Sequence, residues 1–92
     1  MAFIGNAEAD DDAMDNNIEA RIEKDIDKFS LTAKKLSAAK LDADKSAVFE
    51  LAKMYAADSK DWLAKKDYFT AFASISYAHG LADALIKIEH ID

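Results

Sequence analysis

The residues best equipped for chemistry lie in the second half of the chain. His79 is followed four residues later by Asp83, a spacing that lets two side chains meet on one helical face, with Ser76 on the same side. A histidine paired with a carboxylate can orient an imidazole for acid–base work. The same pair also forms a closed polar contact, either inside a core or across an interface. The second reading is preferred, because nothing completes a catalytic set: Ser76 and Ser59 supply hydroxyls, but no strand–turn–helix elbow presents either of them. Two ligands at this spacing also suit a metal, with Asp58 as a third. The Glu-x-x-His motif of di-iron bundles is missing, and neither a metal nor a cofactor is expected. His90, between Glu89 and Asp92, reads as a solvated end.

A second group is Tyr55, Asp58, Ser59 and Tyr77. In an antiparallel hairpin Tyr55 and Tyr77 come close, and Asp58 is placed to accept a bond from a tyrosine hydroxyl or from His79. A partly buried carboxylate needs such a partner. The alternative to a structural role is a small enzyme or ligand-binding protein using His79, Asp83, Asp58 and Tyr55. Gly80 interrupts a helical run, where glycine costs about 1 kcal/mol against alanine. Close approach of Gly80 to Ala52 on the neighbouring helix would account for it, with the small residues Ala52, Ala56, Ala73 and Ala84 letting the two helices sit close.

Three helices must position these residues. The first, about Asn17 to Ala39, carries Ile18, Ile22, Ile26, Phe29, Ala33 and Leu36 at steps of three and four. The second, about Lys45 to Ala64 with Asp44 as N-cap, carries Val48, Leu51, Ala52, Tyr55, Ser59 and Trp62. The third, about Tyr68 to Glu89 with Asp67 as N-cap, is apolar nearly all round. One of its faces holds Phe69, Phe72, Ile75, Ala82 and Ile86; the opposite one holds Ala73, Tyr77, Leu81, Ala84 and Ile88. The short link between the second and third helices makes them antiparallel neighbours. A helix without a polar face is buried on most sides, so a second copy of the chain, or an unknown protein partner, is expected to cover the remainder.

Composition agrees with helices. The 92 residues include no proline and two glycines, while 51% are hydrophobic. The absence of cysteine removes disulfides, thiolate nucleophiles and cysteine-based zinc sites. No stretch suits a membrane span and the N-terminus lacks the pattern of a signal peptide, so a cytoplasmic protein without a membrane partner is expected. The net charge of −6 is uneven. Residues 1–17 hold Glu8, Asp10, Asp11, Asp12 and Asp15 and no base, while the remainder holds 13 acids against 12 bases. Residues 1–14 accordingly read as a mobile acidic tail, in which Phe3 and Ile4 are able to dock, and residues 15–92 as one domain. Nucleic-acid binding is not expected without a basic footprint, and Lys34, Lys35 and Lys40 suit the helix dipole at the end of the first helix.

The stretch "YAADSKDWLAKKDYFTAFASISYAHGLADAL", residues 55–85, resembles domain-of-unknown-function family 357, short and mostly archaeal helical proteins with no assigned activity. The shared pattern falls here on Tyr55, Asp58, Ser59, Asp67, Tyr68, Ala71, Phe72, Ala73, Tyr77, Ala78, His79, Gly80, Asp83 and Ala84. The family carries glycine before the Asp67 position, where this chain has Lys66. The resemblance implies a helical bundle and no catalytic residues. A weaker likeness is to HEPN domains, helical dimers whose RNase members pair an arginine with a nearby histidine on a late helix. The sole arginine here, Arg21, lies in the first helix, so that motif is absent and the likeness extends only to a catalytically inactive relative. The expectation is an all-α three-helix bundle, an antiparallel hairpin with one helix packed across it, completed by dimerisation. Its expected function is that of a non-enzymatic oligomerisation or protein-interaction module.

Overall fold

In a computed structural model the chain forms three α-helices, α1 (Ala2–Ala38), α2 (Ala43–Ala64) and α3 (Tyr68–Ile88), packed as an all-α bundle. The structure describes the backbone of residues 2–91 and the side chains of residues 17–91. α1 begins at Ala2, well before the start near Asn17 that its apolar spacing predicts. The mobility expected of residues 1–14, the docking expected of Phe3 and Ile4, and Asp92 lie outside the described residues.

Each boundary has a local cause. Asp42, not Asp44, caps α2: its extended backbone lets the carboxylate accept from the Lys45 N–H at 2.9 Å. Asp44 falls instead in the first turn, where a negative charge favours the positive end of the helix. Asp67 caps α3 as predicted, accepting from the Thr70 N–H at 3.1 Å. Between the two caps the chain leaves α2 by a Schellman turn. The Asp67 N–H donates to Trp62 O at 3.0 Å and the Lys66 N–H to Leu63 O at 2.9 Å. This geometry puts Lys66 in the left-handed region, φ 65°, a conformation that glycine adopts without steric cost. α3 ends in the same way, with His90 at φ 55°.

α2 and α3 form the antiparallel hairpin. Lys45 pairs with Glu89 at its open end, the Tyr55 and Tyr77 rings meet edge to face midway, and Ser59 bonds to Ala71 near the turn. The seam between them runs through small residues. Ala52, Ala56 and Ser59 of α2 are buried, as are Ala71, Ala78 and Ala82 of α3, together with Phe49, Ile75 and Leu85. This corrects the faces predicted for both helices. Leu51 and Trp62 turn outward, while Phe49 and Ala56 turn inward. α3 buries the line Ala71–Ile75–Ala78–Ala82–Leu85, which shares only Ile75 and Ala82 with the faces named from sequence. A reading that ranks residues by apolar bulk follows the large side chains, whereas two helices in close contact select the small ones. α1 packs across the hairpin, more on α3 than on α2, through Ile22, Ile26, Phe29 and Leu36, all of which lie on its predicted stripe.

Candidate functional site

His79, Gly80 and Asp83 of α3 border one groove, but among the described residues they do not bond to one another. His79 is half-buried, and its Nε2–H donates to the backbone carbonyl of Asp25 on α1 at 2.7 Å. A helical carbonyl already bonded within its helix keeps a second lone pair, and His79 uses it. The imidazole also sits edge-on to Phe29, with ring centroids 6.0 Å apart. The expected His79–Asp83 contact does not form, and Asp83 is exposed. The histidine is drawn instead to α1, an element the local spacing does not take into account.

The second group separates too. Tyr55 and Tyr77 meet as predicted, with centroids 4.5 Å apart at 72°. Ser59, fully enclosed, donates its hydroxyl to Ala71 O at 2.7 Å and so satisfies a buried donor, which left unpaired would cost about 1–3 kcal/mol. Asp58 is exposed and accepts no bond from either tyrosine or from His79 among the described residues. Gly80 is also exposed, and a Cβ added there would have nothing within 4 Å, so it does not set the approach to Ala52. Ala52 itself is buried in the seam, beside Ala56, whereas Ala73 and Ala84, expected in the same contact, are exposed.

What Gly80 does line is a shallow groove of about 490 Å³ between α1 and α3, together with Arg21, Asp25, Lys28, Phe72, Ser76, His79 and Asp83. It opens widely to solvent. Its one firm polar contact, His79 to Asp25 O, spends the Nε2 proton on structure, and no hydroxyl within it is bonded to a base. Among the described residues no three histidine, aspartate or glutamate side chains are grouped closely enough to hold a metal ion.

Two further features lay outside the sequence reading. Glu19 accepts from the Tyr68 hydroxyl at 2.9 Å and from Lys66 Nζ at 3.3 Å, which ties α1 to the α2–α3 turn. The hydrogen bond from Tyr68, then that from Lys66, holds the Glu19 carboxyl below the usual carboxylate range, while the bond to Glu19 raises Lys66. At the open end, the bond to Glu89 raises Lys45. The second feature is a groove of about 420 Å³ between α1 and α2. Its floor is Ile26, Phe29, Ala33, Ala56 and Ala57, and Ser30, Ser37, Lys34, Lys53 and Lys60 also line it. The seven-residue spacing of Lys53 and Lys60 on one flank of α2 was its sequence signal.

Among the described residues no helix is long and apolar enough to cross a membrane. No curated protein matches the chain. The model of a family described as "Protein of unknown function (DUF357)" matches residues 19–91, from the glutamate that ties α1 to the turn to the residue that closes the last helix. That match spans most of the chain, taking in α2, α3 and the second half of α1, and the chain belongs to the DUF357 family.

Proposed function

We propose that this protein is a non-enzymatic oligomerisation module of the cytoplasm, and that it pairs with a second copy through the outer face of the α2–α3 hairpin. The observation that carries this reading is what α1 leaves uncovered. Leu51, Met54 and Trp62 of α2 and Tyr77 and Ile88 of α3 all remain exposed, with Met54 at 61% and Ile88 at 56%. Helical periodicity puts them on the flank away from the side chains that line the α1 grooves, and the Tyr55–Tyr77 contact bridges the two helices there. Single exposed apolar side chains are ordinary, but several gathered on one flank of two paired helices supply an apolar contact surface.

The test must spare the core. Leu81 and Ile86 pack against it and are unsuitable. Met54→Glu with Tyr77→Glu changes two exposed positions. The wild type should run as a dimer by light scattering, and the double variant as a monomer with unchanged helical circular dichroism. A monomeric wild type at high protein concentration would sink the reading.

A further inference from the structure

The groove between α1 and α2 is bordered by one sign of charge. Its lining includes Lys34, Lys53 and Lys60 and no acid, above an apolar floor of Ile26, Phe29, Ala33, Ala56 and Ala57. Lys53 pairs with Glu50 at 2.7 Å, whereas Lys34 and Lys60 have no ion-pair partner among the described residues. Three cations beside a shared apolar trough repel one another unless something anionic lies between them.

The same chain carries a segment of the opposite kind. Residues 1–17 hold five acids and no base; the acids all fall within residues 8–15, interspersed with Ala9, Ala13 and Met14. In a helix, Glu8 stands three and four residues from Asp11 and Asp12, and Asp11 stands four from Asp15, so like charges are neighbours that weaken an isolated helix. Position makes the match specific. Glu19 is bonded to Lys66 and Tyr68 and thus lies level with the α2–α3 turn, at the end of the bundle. The part of α1 before it runs past that end for about 25 Å at 1.5 Å per residue. Because α1 is one continuous helix, this arm points away from the groove of its own bundle, and only a second copy can present its arm there. The lined stretch, Ile26 to Ser37 on α1, is about 16 Å of helix, which the arm is long enough to fill.

We propose that the acidic N-terminal arm of one copy docks in the lysine-bordered α1–α2 groove of another, as a fourth helix on that bundle. The contact is separate from the hairpin-face dimer, because it uses other residues and is electrostatic where that one is apolar. Toward the turn the groove changes character, with Glu19, Glu23 and Asp27 facing Lys60 and Lys66. The acids of the arm therefore belong beside Lys34, Lys53 and Lys60, and its charge-free residues 2–7 or its junction with the bundle lie elsewhere.

A charge exchange in the full-length chain tests it. One variant carries Lys34→Glu and Lys60→Glu, both at exposed positions, and another carries Asp10→Lys, Asp11→Lys and Asp12→Lys. Light scattering and analytical ultracentrifugation should show a wild-type association step that weakens about tenfold or more when salt rises from about 0.05 M to about 0.5 M, as screening shortens. Each variant alone should lose that step, and an equimolar mixture should regain it. The hairpin-face dimer is read independently, since it survives high salt and both sets of charge changes but not Tyr77→Glu. A wild type without a salt-sensitive step, variants that associate as it does, or a mixture that stays apart would each overturn the proposal.

Discussion

The two seams that hold the bundle together are built on different principles. Between α2 and α3 the contact runs mainly through Ala52, Ala56, Ser59, Ala71, Ala78 and Ala82, with Ile75 among them and Phe49 and Leu85 toward the open end. Between α1 and the hairpin it runs through Ile22, Ile26, Phe29 and Leu36, and the polar ties sit at the rim: Glu19 to Tyr68 and Lys66, His79 to Asp25 O. The first seam gains from closeness, since many atoms approach across a narrow gap. The second gains from the apolar area each side chain removes from water. They should therefore fail in opposite ways, one when atoms are added and the other when atoms are taken away.

The largest effect is expected at Ile22, which is fully buried on α1. Ile22→Ala should cost about 2–5 kcal/mol in urea unfolding, through lost transfer energy and the cavity left behind. A loss well under that would mean that α1 is not part of the cooperative core. Next comes Ala82→Leu in the tight seam, expected to cost about 1–3 kcal/mol by overpacking. Ala33→Leu, at the floor of the open α1–α2 groove, should cost much less. Equal losses at the two alanines would erase the distinction between the seams. Gly80 belongs to neither seam, and Gly80→Ala should raise stability by about 0.5–1 kcal/mol, because alanine favours the helix and has room. A drop in the melting temperature would show that the space is filled after all.

The smallest effect concerns the exposed tie at Glu19. Its carboxyl titrates below the ordinary range because of Tyr68 and Lys66, so the stability it contributes is complete above that range and is lost as pH falls through the folded value. Lys66 is raised by the same contact, so its share is present at neutral pH and lost only as pH rises past the ordinary lysine range. Glu19→Gln should thus lower the melting temperature slightly at pH 7, with the difference closing on acidification. A difference that persists in acid would assign the effect to something other than charge.

Much of this architecture was legible in the sequence. The stripe of α1, the hairpin, the Asp67 cap and the Tyr55–Tyr77 meeting all follow from spacing, because helical period and a short link constrain them directly. The buried faces of α2 and α3 were legible only in part: Ala52 and Ala56 follow from small size at a close contact, but alanine carries too little hydropathy to outvote Leu51, Trp62 or Tyr77 in a periodicity reading. The partner of His79 was hidden for another reason. A backbone carbonyl is present at every residue, so the choice of Asp25 O depends on how α1 crosses α3, which no local pattern encodes. Gly80 invited a packing explanation, and the space around it shows that an unusual residue type does not by itself identify its neighbour.

A seam of alanines has a weakness that its closeness conceals: methyl groups look alike, and one helix can slide along the other by a turn and still find small residues opposite. Ser59 does not break that degeneracy, because its acceptor, Ala71 O, is a backbone carbonyl and another carbonyl follows one turn along. The partners that occur once lie outside the seam: Lys45 with Glu89 at the open end, Tyr55 with Tyr77 midway and the Asp67 cap at the turn. The ends and the edge of the hairpin thus choose one arrangement among several that would pack almost equally well.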